Sequence, residues 1–169
     1  MKKGVRKMEK IRNVAVASRV ISSPIGALLI GASSEGLAEV SFKHDLGADM
    51  TREPNAILDA CEAQLGEYFD GKRLSFDVPL DLRGTPFQLS VWRALLLIPC
   101  GQTWSYGQVA RQIGREKAAR AIGGANHNNP VAIIVPCHRV IGGDGKLVGY
   151  GGGIHIKQWL LEHEKKFAE

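Results

Sequence analysis

Apolar positions in residues 13–42, "NVAVASRVISSPIGALLIGASSEGLAEVSF", come in short β-branched stretches broken at Ser23-Pro24, Ile25-Gly26 and Ser34-Glu35-Gly36. This spacing predicts a meander of three strands, because each break supplies residues that favour a turn. The period then lengthens. In "NAILDACEAQLGEYFDG", Ile57, Leu58, Cys61, Leu65 and Phe69 make one stripe of a helix that Gly71 closes. Cys61 on that stripe reads as a core residue. A short strand is expected at "LSFDVPL", and "DLRGTP" reads as the passage from a first domain, 1–84, to a second, 85–169.

The second domain opens on strong helix-start chemistry. Thr85-Pro86-Phe87-Gln88 combines a capping threonine, a proline at the first helical position and a glutamine three residues after the cap. Phe87, Val91, Ala94, Leu95 and Ile98 supply the apolar stripe that follows, and Pro99-Cys100-Gly101 ends it. Ser105-Tyr106-Gly107-Gln108 repeats the cap and starts a shorter helix, stopped by Gly114 before "REKAARAIGGANHNNP" begins another. Two helices around a tight glycine turn predict a helix-turn-helix. Beyond them, "PVAIIVPCHRVIGGDGKLVGY" reads as a buried strand, a PCH turn and a hairpin around Gly142-Gly143-Asp144-Gly145. A last helix, "IHIKQWLLEHEKKF", has Ile156, Trp159, Leu160, His163 and Phe167 as its apolar face.

Composition excludes some classes. The longest apolar run, Ala94 to Cys100, is far short of the roughly 20 residues of a membrane span, and no secretion-type apolar block follows the basic start "MKKGVRKMEK". A cytoplasmic protein is expected. Three cysteines, Cys61, Cys100 and Cys137, are too few for a disulfide framework, so reduced thiols are expected.

Charge is uneven along the chain. Residues 1–84 are balanced, with 12 Lys/Arg and 12 Asp/Glu, whereas 85–169 hold 10 against 5 and so carry the whole net charge of +5. Arg93, Arg111, Arg115, Lys117, Arg120 and Arg139 stand against the single acid Glu116 between Arg93 and Arg139. That is a footprint for a polyanion, or else a solvated basic face. The helix bearing Arg120 sharpens the choice. Ala118, Ala119, Ala121, Gly123, Gly124 and Ala125 give it a small-residue surface, which more commonly serves close helix packing. Lying in the basic region after a glycine turn, it favours a helix set against a nucleic-acid backbone with Arg120 projecting.

Cys137 sits where a predicted strand ends. A reactive thiol must lose its proton, and a histidine backed by a carboxylate is a common means. Side chains of neighbours in an extended segment diverge, so Cys137 and His138 would need a bridging water. Glu164, at the edge of the last helix's apolar face, is the carboxylate that could back the histidine, although helical spacing alone favours a surface position. Cys137 with His127, His138 or His163 lacks the compact spacing of a zinc site. "GDGKL" and "GYGGG" lack the order of phosphate-binding loops. A cysteine hydrolase would need an oxyanion hole and a histidine with direct access to sulfur.

With "IVPCHRVIG", "SYGQVA", "KAARAIGGANHNNP" and "GYGGGIHIKQWLLEHE" in this order and spacing, the chain resembles the O6-alkylguanine-DNA alkyltransferase family, specifically over 85–166 and in outline before that. The resemblance implies an α+β fold: a small ribonuclease-H-like N-terminal α/β domain with a mainly structural role, then a mostly helical, winged helix-turn-helix-like C-terminal domain. It implies a monomer that transfers an alkyl group irreversibly from guanine O6, or thymine O4, in double-stranded DNA to Cys137, once per molecule and without a cofactor. On matching positions, His138 would link Cys137 through water to Glu164. Tyr106 would donate a proton toward guanine N3, and Asn129 would support the reactive turn. Arg120 would fill the gap left by a flipped nucleotide, on the DNA-facing helix with Ala118, Ala119, Ala121 and Gly123. Val140, Tyr150, Gly151 and Gly152 would surround the base. Some relatives hold zinc in the first domain, but Cys61 and His44 alone do not make such a site, and no metal is expected. Relatives with tryptophan at the cysteine position do not transfer; a lesion-binding module of that kind is the alternative, and Cys137 argues against it.

Overall fold

The computed structural model describes residues 17–42 and 54–168. Three strands, β1 (Ala17–Ile21), β2 (Leu28–Ala32) and β3 (Leu37–Phe42), form an antiparallel sheet in the order β1-β2-β3. Every residue of the central strand β2 is buried, as its continuous apolar run requires. Helix α1 (Ala56–Phe69) starts at Asn55, whose side chain accepts from the Leu58 N–H at 3.0 Å. It buries Leu58, Cys61 and Leu65, so Cys61 is a core residue and burial pushes its thiol up to about 12.

The strand expected at "LSFDVPL" does not form. Leu80 alone bridges to Leu37, through Leu37 N–H to Pro79 O at 2.7 Å and Asp81 N–H to Leu37 O at 2.9 Å. Pro79 has no N–H to offer a longer ladder.

The C-terminal part is mostly helical: α2 (Pro86–Leu95), α3 (Tyr106–Gln112), α4 (Ala119–His127) and α5 (Ile154–Phe167). Both expected capping boxes are complete, Thr85 with Gln88 and Ser105 with Gln108, each side chain bonding the other residue's N–H. Gly114, at φ 70°, turns the chain between α3 and α4, which pack together as a helix-turn-helix with α2 behind them. Trp92 of α2 donates its indole N–H to Ala125 O at 2.9 Å, fastening α2 to α4. The two short strands β4 (Trp104–Ser105) and β5 (Val140–Ile141) pair in parallel beside this unit.

Two expectations fail between α4 and α5. Residues 131–135 are fully buried but are not a strand: only Val131 bridges, to Val40 of β3, and the chain then coils, with Ile133 at φ 71° and Val135 N–H bonded to Val131 O at 3.0 Å. An unbroken apolar run reports burial, not period, so the pattern could not distinguish the two. Gly142 to Lys146 does close a tight turn, but its flanks form no hairpin, because β5 is taken by β4.

The Val131–Val40 bridge also brings the C-terminal part onto the edge of the N-terminal sheet, and one continuous core runs through both. No helix among the described residues is long and apolar enough to cross a membrane.

Candidate active site

Pro136 ends the buried coil, and Cys137–Arg139 follow as a single 3-10 turn, tied by Arg139 N–H to Pro136 O at 3.0 Å. The turn places three consecutive polar side chains inside the protein: Cys137 is 7% exposed, His138 0% and Arg139 6%. What makes this tolerable is Glu164 of α5, itself 1% exposed. His138 Nε2 lies 2.6 Å from Glu164 Oε1. Arg139 grips both oxygens, Nε to Oε2 at 2.9 Å and Nη2 to Oε1 at 2.9 Å, and spends Nη1 on Ile98 O at 2.7 Å. Tyr68 of α1 donates its hydroxyl to Oε1 at 2.8 Å.

The surface position favoured for Glu164 by spacing alone is therefore overturned. Burial works against its charge, but the hydrogen bonds from His138 and Arg139, together with the guanidinium charge, outweigh that and hold the carboxyl well below the usual range. Arg139 likewise leaves the basic footprint and faces inward, while Arg93, Arg111, Arg115, Lys117 and Arg120 remain exposed.

The expected apolar face of α5 is rotated. Ile156, Lys157, Leu160 and Glu164 are its buried residues. Trp159, His163 and Phe167 turn toward α1 instead, in a ring cluster in which Trp159 stacks on His163 at 4.8 Å and contacts Phe69 at 5.9 Å. Lys157 was not foreseen. It is 1% exposed, and its ammonium donates to Val140 O at 2.6 Å and Val148 O at 3.0 Å. Its signal was available: Lys157, Leu160 and Glu164 fall at i, i+3 and i+7, one helical stripe with a charge at each end.

Protonation follows from these surroundings. Burial lowers the His138 pKa, and the nearby Glu164 only partly opposes it, so the ring is neutral. With an anionic carboxylate at Nε2, that nitrogen carries the hydrogen and Nδ1 is left as the basic lone pair. Nδ1 is buried without a protein partner. Burial pushes the Cys137 thiol up, while the Asn129 side chain, the Lys157 charge and the backbone N–H groups of Cys137 and His138 pull it down. The resting sulfur is thus a protonated thiol beside a neutral base, not a preformed thiolate.

The other expected residues sort by place. Asn129 bridges the coil, donating to Val135 O at 2.8 Å and accepting from Val131 N–H at 3.0 Å. Tyr106 begins α3, half-buried and within electrostatic reach of Cys137; burial raises its phenol pKa, with the Asn126 side chain opposing the rise. Gly123 of α4 faces the Tyr106 ring, where an added Cβ would lie 3.9 Å away. Ala119, Arg120, Ala121 and Gly124 are exposed and Ala118 half-buried, so most of the small-residue surface is turned outward, while Ala125 is buried in the core. Val140 is fully buried. Tyr150 and Gly152 are half-buried and Gly151 exposed, and Phe42 of β3 packs on this loop with its ring 5.7 Å from that of Tyr150. Among the described residues no cluster of three or more His, Cys, Asp or Glu is set to hold a metal; His44 lies outside them.

Comparison with known proteins agrees with this arrangement. Residues 86–166 match the model of the 6-O-methylguanine DNA methyltransferase DNA-binding domain, and 16–82 that of its ribonuclease-like domain. A methylated-DNA–protein-cysteine methyltransferase of Mycobacterium bovis is 52% identical over 154 residues, covering 89% of this chain and 93% of its own. One from Methanosarcina acetivorans is 48% identical over 149 residues, 86% and 96% of the two chains. The crystal structure of Mycobacterium tuberculosis OGT in complex with DNA superposes with a TM-score of 0.82 at 51% identity, over 90% of this chain and 94% of that one. The chain is a member of the 6-O-methylguanine DNA methyltransferase family.

Proposed function

We propose that this protein repairs double-stranded DNA by moving the alkyl group of O6-alkylguanine onto Cys137, once per molecule. The observation that carries this reading is the chain of contacts from Glu164 through His138 toward a buried thiol that needs a base.

The reacting carbon lies within a base pair, so the nucleotide must leave the stack, at a cost of a few kcal/mol. Arg120, long and exposed on the outward face of α4, suits the vacated space, and the exposed small residues Ala119 and Ala121 let the helix approach the backbone. We assign Tyr150, Gly151 and Gly152, with the buried Val140, to the surroundings of the extruded base.

In the transfer, the Cys137 proton passes through water to His138 Nδ1, and the imidazolium so formed is stabilised by Glu164. Sulfur attacks the alkyl carbon, the S–C bond forms as the C–O6 bond breaks, and the electron pair stays on the guanine. Tyr106 supplies a proton toward N3 as that charge develops, and is held near the sulfur by its place at the start of α3. The product thioether does not hydrolyse, so the protein is consumed. The bonds balance without a cofactor. We place the reaction in a single chain and in the cytoplasm, where free thiols such as its three cysteines persist.

Titrating a fixed amount of protein with duplex carrying O6-methylguanine tests this. Repair should rise with DNA and stop at one lesion per protein. A duplex retained with its lesion intact would favour the lesion-binding module, and continued turnover of substrate would favour a hydrolase.

A further inference from the structure

Glu164 Oε1 receives three donors, from His138, Arg139 and Tyr68, whereas Oε2 receives only Arg139. Two of the three come from the turn that bears Cys137. The third comes from α1, on the other side of the chain's division at "DLRGTP". We propose that Tyr68 is a positioning residue for alkyl transfer, whose hydroxyl holds Glu164 Oε1 against His138 and so makes the N-terminal part a working component of the proton relay. The proposal rests on the alkyl-transfer reading above.

Tyr68 is built to hold its place. It is 1% exposed, and its ring meets those of Phe69 at 5.3 Å, Phe76 at 5.5 Å and His163 at 5.3 Å. Its backbone oxygen lies 2.7 Å from His163 Nε2, the residue next to Glu164. The C-terminal end of α1 is therefore fastened to two consecutive residues of α5, once by its backbone and once by its phenol. Burial, with the negative charge of Glu164, pushes the phenol pKa up, so this hydroxyl is always a donor.

A guanidinium gripping both oxygens fixes the plane of a carboxylate, but it also draws charge from the oxygen that His138 needs. A neutral donor on Oε1 shares that oxygen's lone pairs with His138 and limits how basic the imidazole becomes. Without the hydroxyl, Oε1 pulls harder on the Nε2 hydrogen, His138 becomes more basic, and Nδ1 is protonated at a higher pH. The groups around Glu164 are Tyr68 from α1, Cys100 after α2, His138 and Arg139 from the turn, and Tyr150 from the loop before α5. Of the two tyrosines, Tyr68 is the one whose hydroxyl is hydrogen-bonded to the carboxylate.

Tyr68→Phe keeps the ring and removes only the oxygen. In the full chain the single-turnover transfer rate from O6-methylguanine duplex should fall about tenfold at a pH on the acid limb, because the more basic His138 is already protonated there. The acid limb of its pH profile should move to higher pH, with affinity for the duplex unchanged. In parallel, 15N NMR of the His138 imidazole should show its titration shifted the same way. An unchanged rate and an unchanged His138 titration in a folded variant would overturn the proposal and leave Tyr68 a packing residue. If the wild-type protein transfers no methyl group, the alkyl-transfer reading fails on its own, and the NMR titration still decides whether Tyr68 governs the relay. Should Tyr68→Phe not fold, a site-specific difluorotyrosine at 68 keeps the hydroxyl as a stronger donor. It must then move the His138 titration to lower pH, and no movement would overturn the proposal.

Discussion

His138 and Glu164 are joined by a 2.6 Å hydrogen bond between two side chains that solvent does not reach. The bond fixes the imidazole tautomer, because an anionic carboxylate at Nε2 leaves Nδ1 free to accept a proton from the thiol side. In the proposed transfer the reactivity of Cys137 therefore depends on Glu164, 26 positions beyond His138 in the sequence.

This arrangement sets the pH dependence of transfer. Burial holds the His138 pKa below its ordinary 6.5, so Nδ1 is unprotonated throughout the neutral range. Single-turnover rates are predicted to be level near neutrality and to drop on an acid limb whose midpoint lies below 6.5. A midpoint above that value would contradict a neutral resting imidazole.

Glu164→Gln tests the same pair through stability. It leaves the Arg139 guanidinium buried beside a neutral amide, which should cost about 3–5 kcal/mol in urea unfolding at neutral pH. The folded-state pKa of Glu164 is depressed, so its contribution is complete above the ordinary 4.5 and drains away as pH falls through the folded value. Below 4.5 the variant's stability should therefore change less with pH than that of the wild type. Parallel curves would mean that Glu164 is not the anion the geometry requires.

Lys157→Met separates charge from volume. The lysine lowers the Cys137 pKa by its charge and donates to Val140 O and Val148 O. Its loss should raise the thiol pKa, slow alkylation of Cys137 by a small thiol reagent at fixed pH, and cost about 1–3 kcal/mol of stability from the two carbonyls left without a donor. Thiol reactivity equal to that of the wild type would show that the ammonium does not act on the sulfur.

Arg120→Ala isolates base extrusion from chemistry. Repair of O6-methylguanine in duplex DNA should slow markedly, while reaction with free O6-benzylguanine, which needs no extrusion, should stay near the wild-type rate. Equal losses would place Arg120 in the chemistry or in folding. Affinity for duplex should also fall steeply with salt if the exposed basic residues contact phosphates.

The elements most legible in the sequence were those specified by local chemistry. The capping boxes at Thr85 and Ser105, the three-strand meander and the α1 stripe are all decided within a few residues, and each formed where its pattern put it. Segments settled by distant partners were not legible. Glu164 is buried because His138 and Arg139 arrive from elsewhere in the chain. Residues 131–135 coil because β3 takes only Val131, and Trp159 and His163 face α1 rather than the reactive turn. The PCHRV motif marked the thiol, but Tyr68 and Lys157 come from helices whose relation to that motif only the fold reveals.

In the proposed reaction Cys137 Sγ is the atom that receives the alkyl group. Peptide mass spectrometry after one exposure of the protein to O6-methylguanine duplex tests it most directly. The Cys137 peptide should gain the mass of one methyl group, with the Cys61 and Cys100 peptides unchanged and no gain in Cys137→Ser. An unmodified Cys137 in folded protein that still binds the duplex would rule out transfer to this thiol.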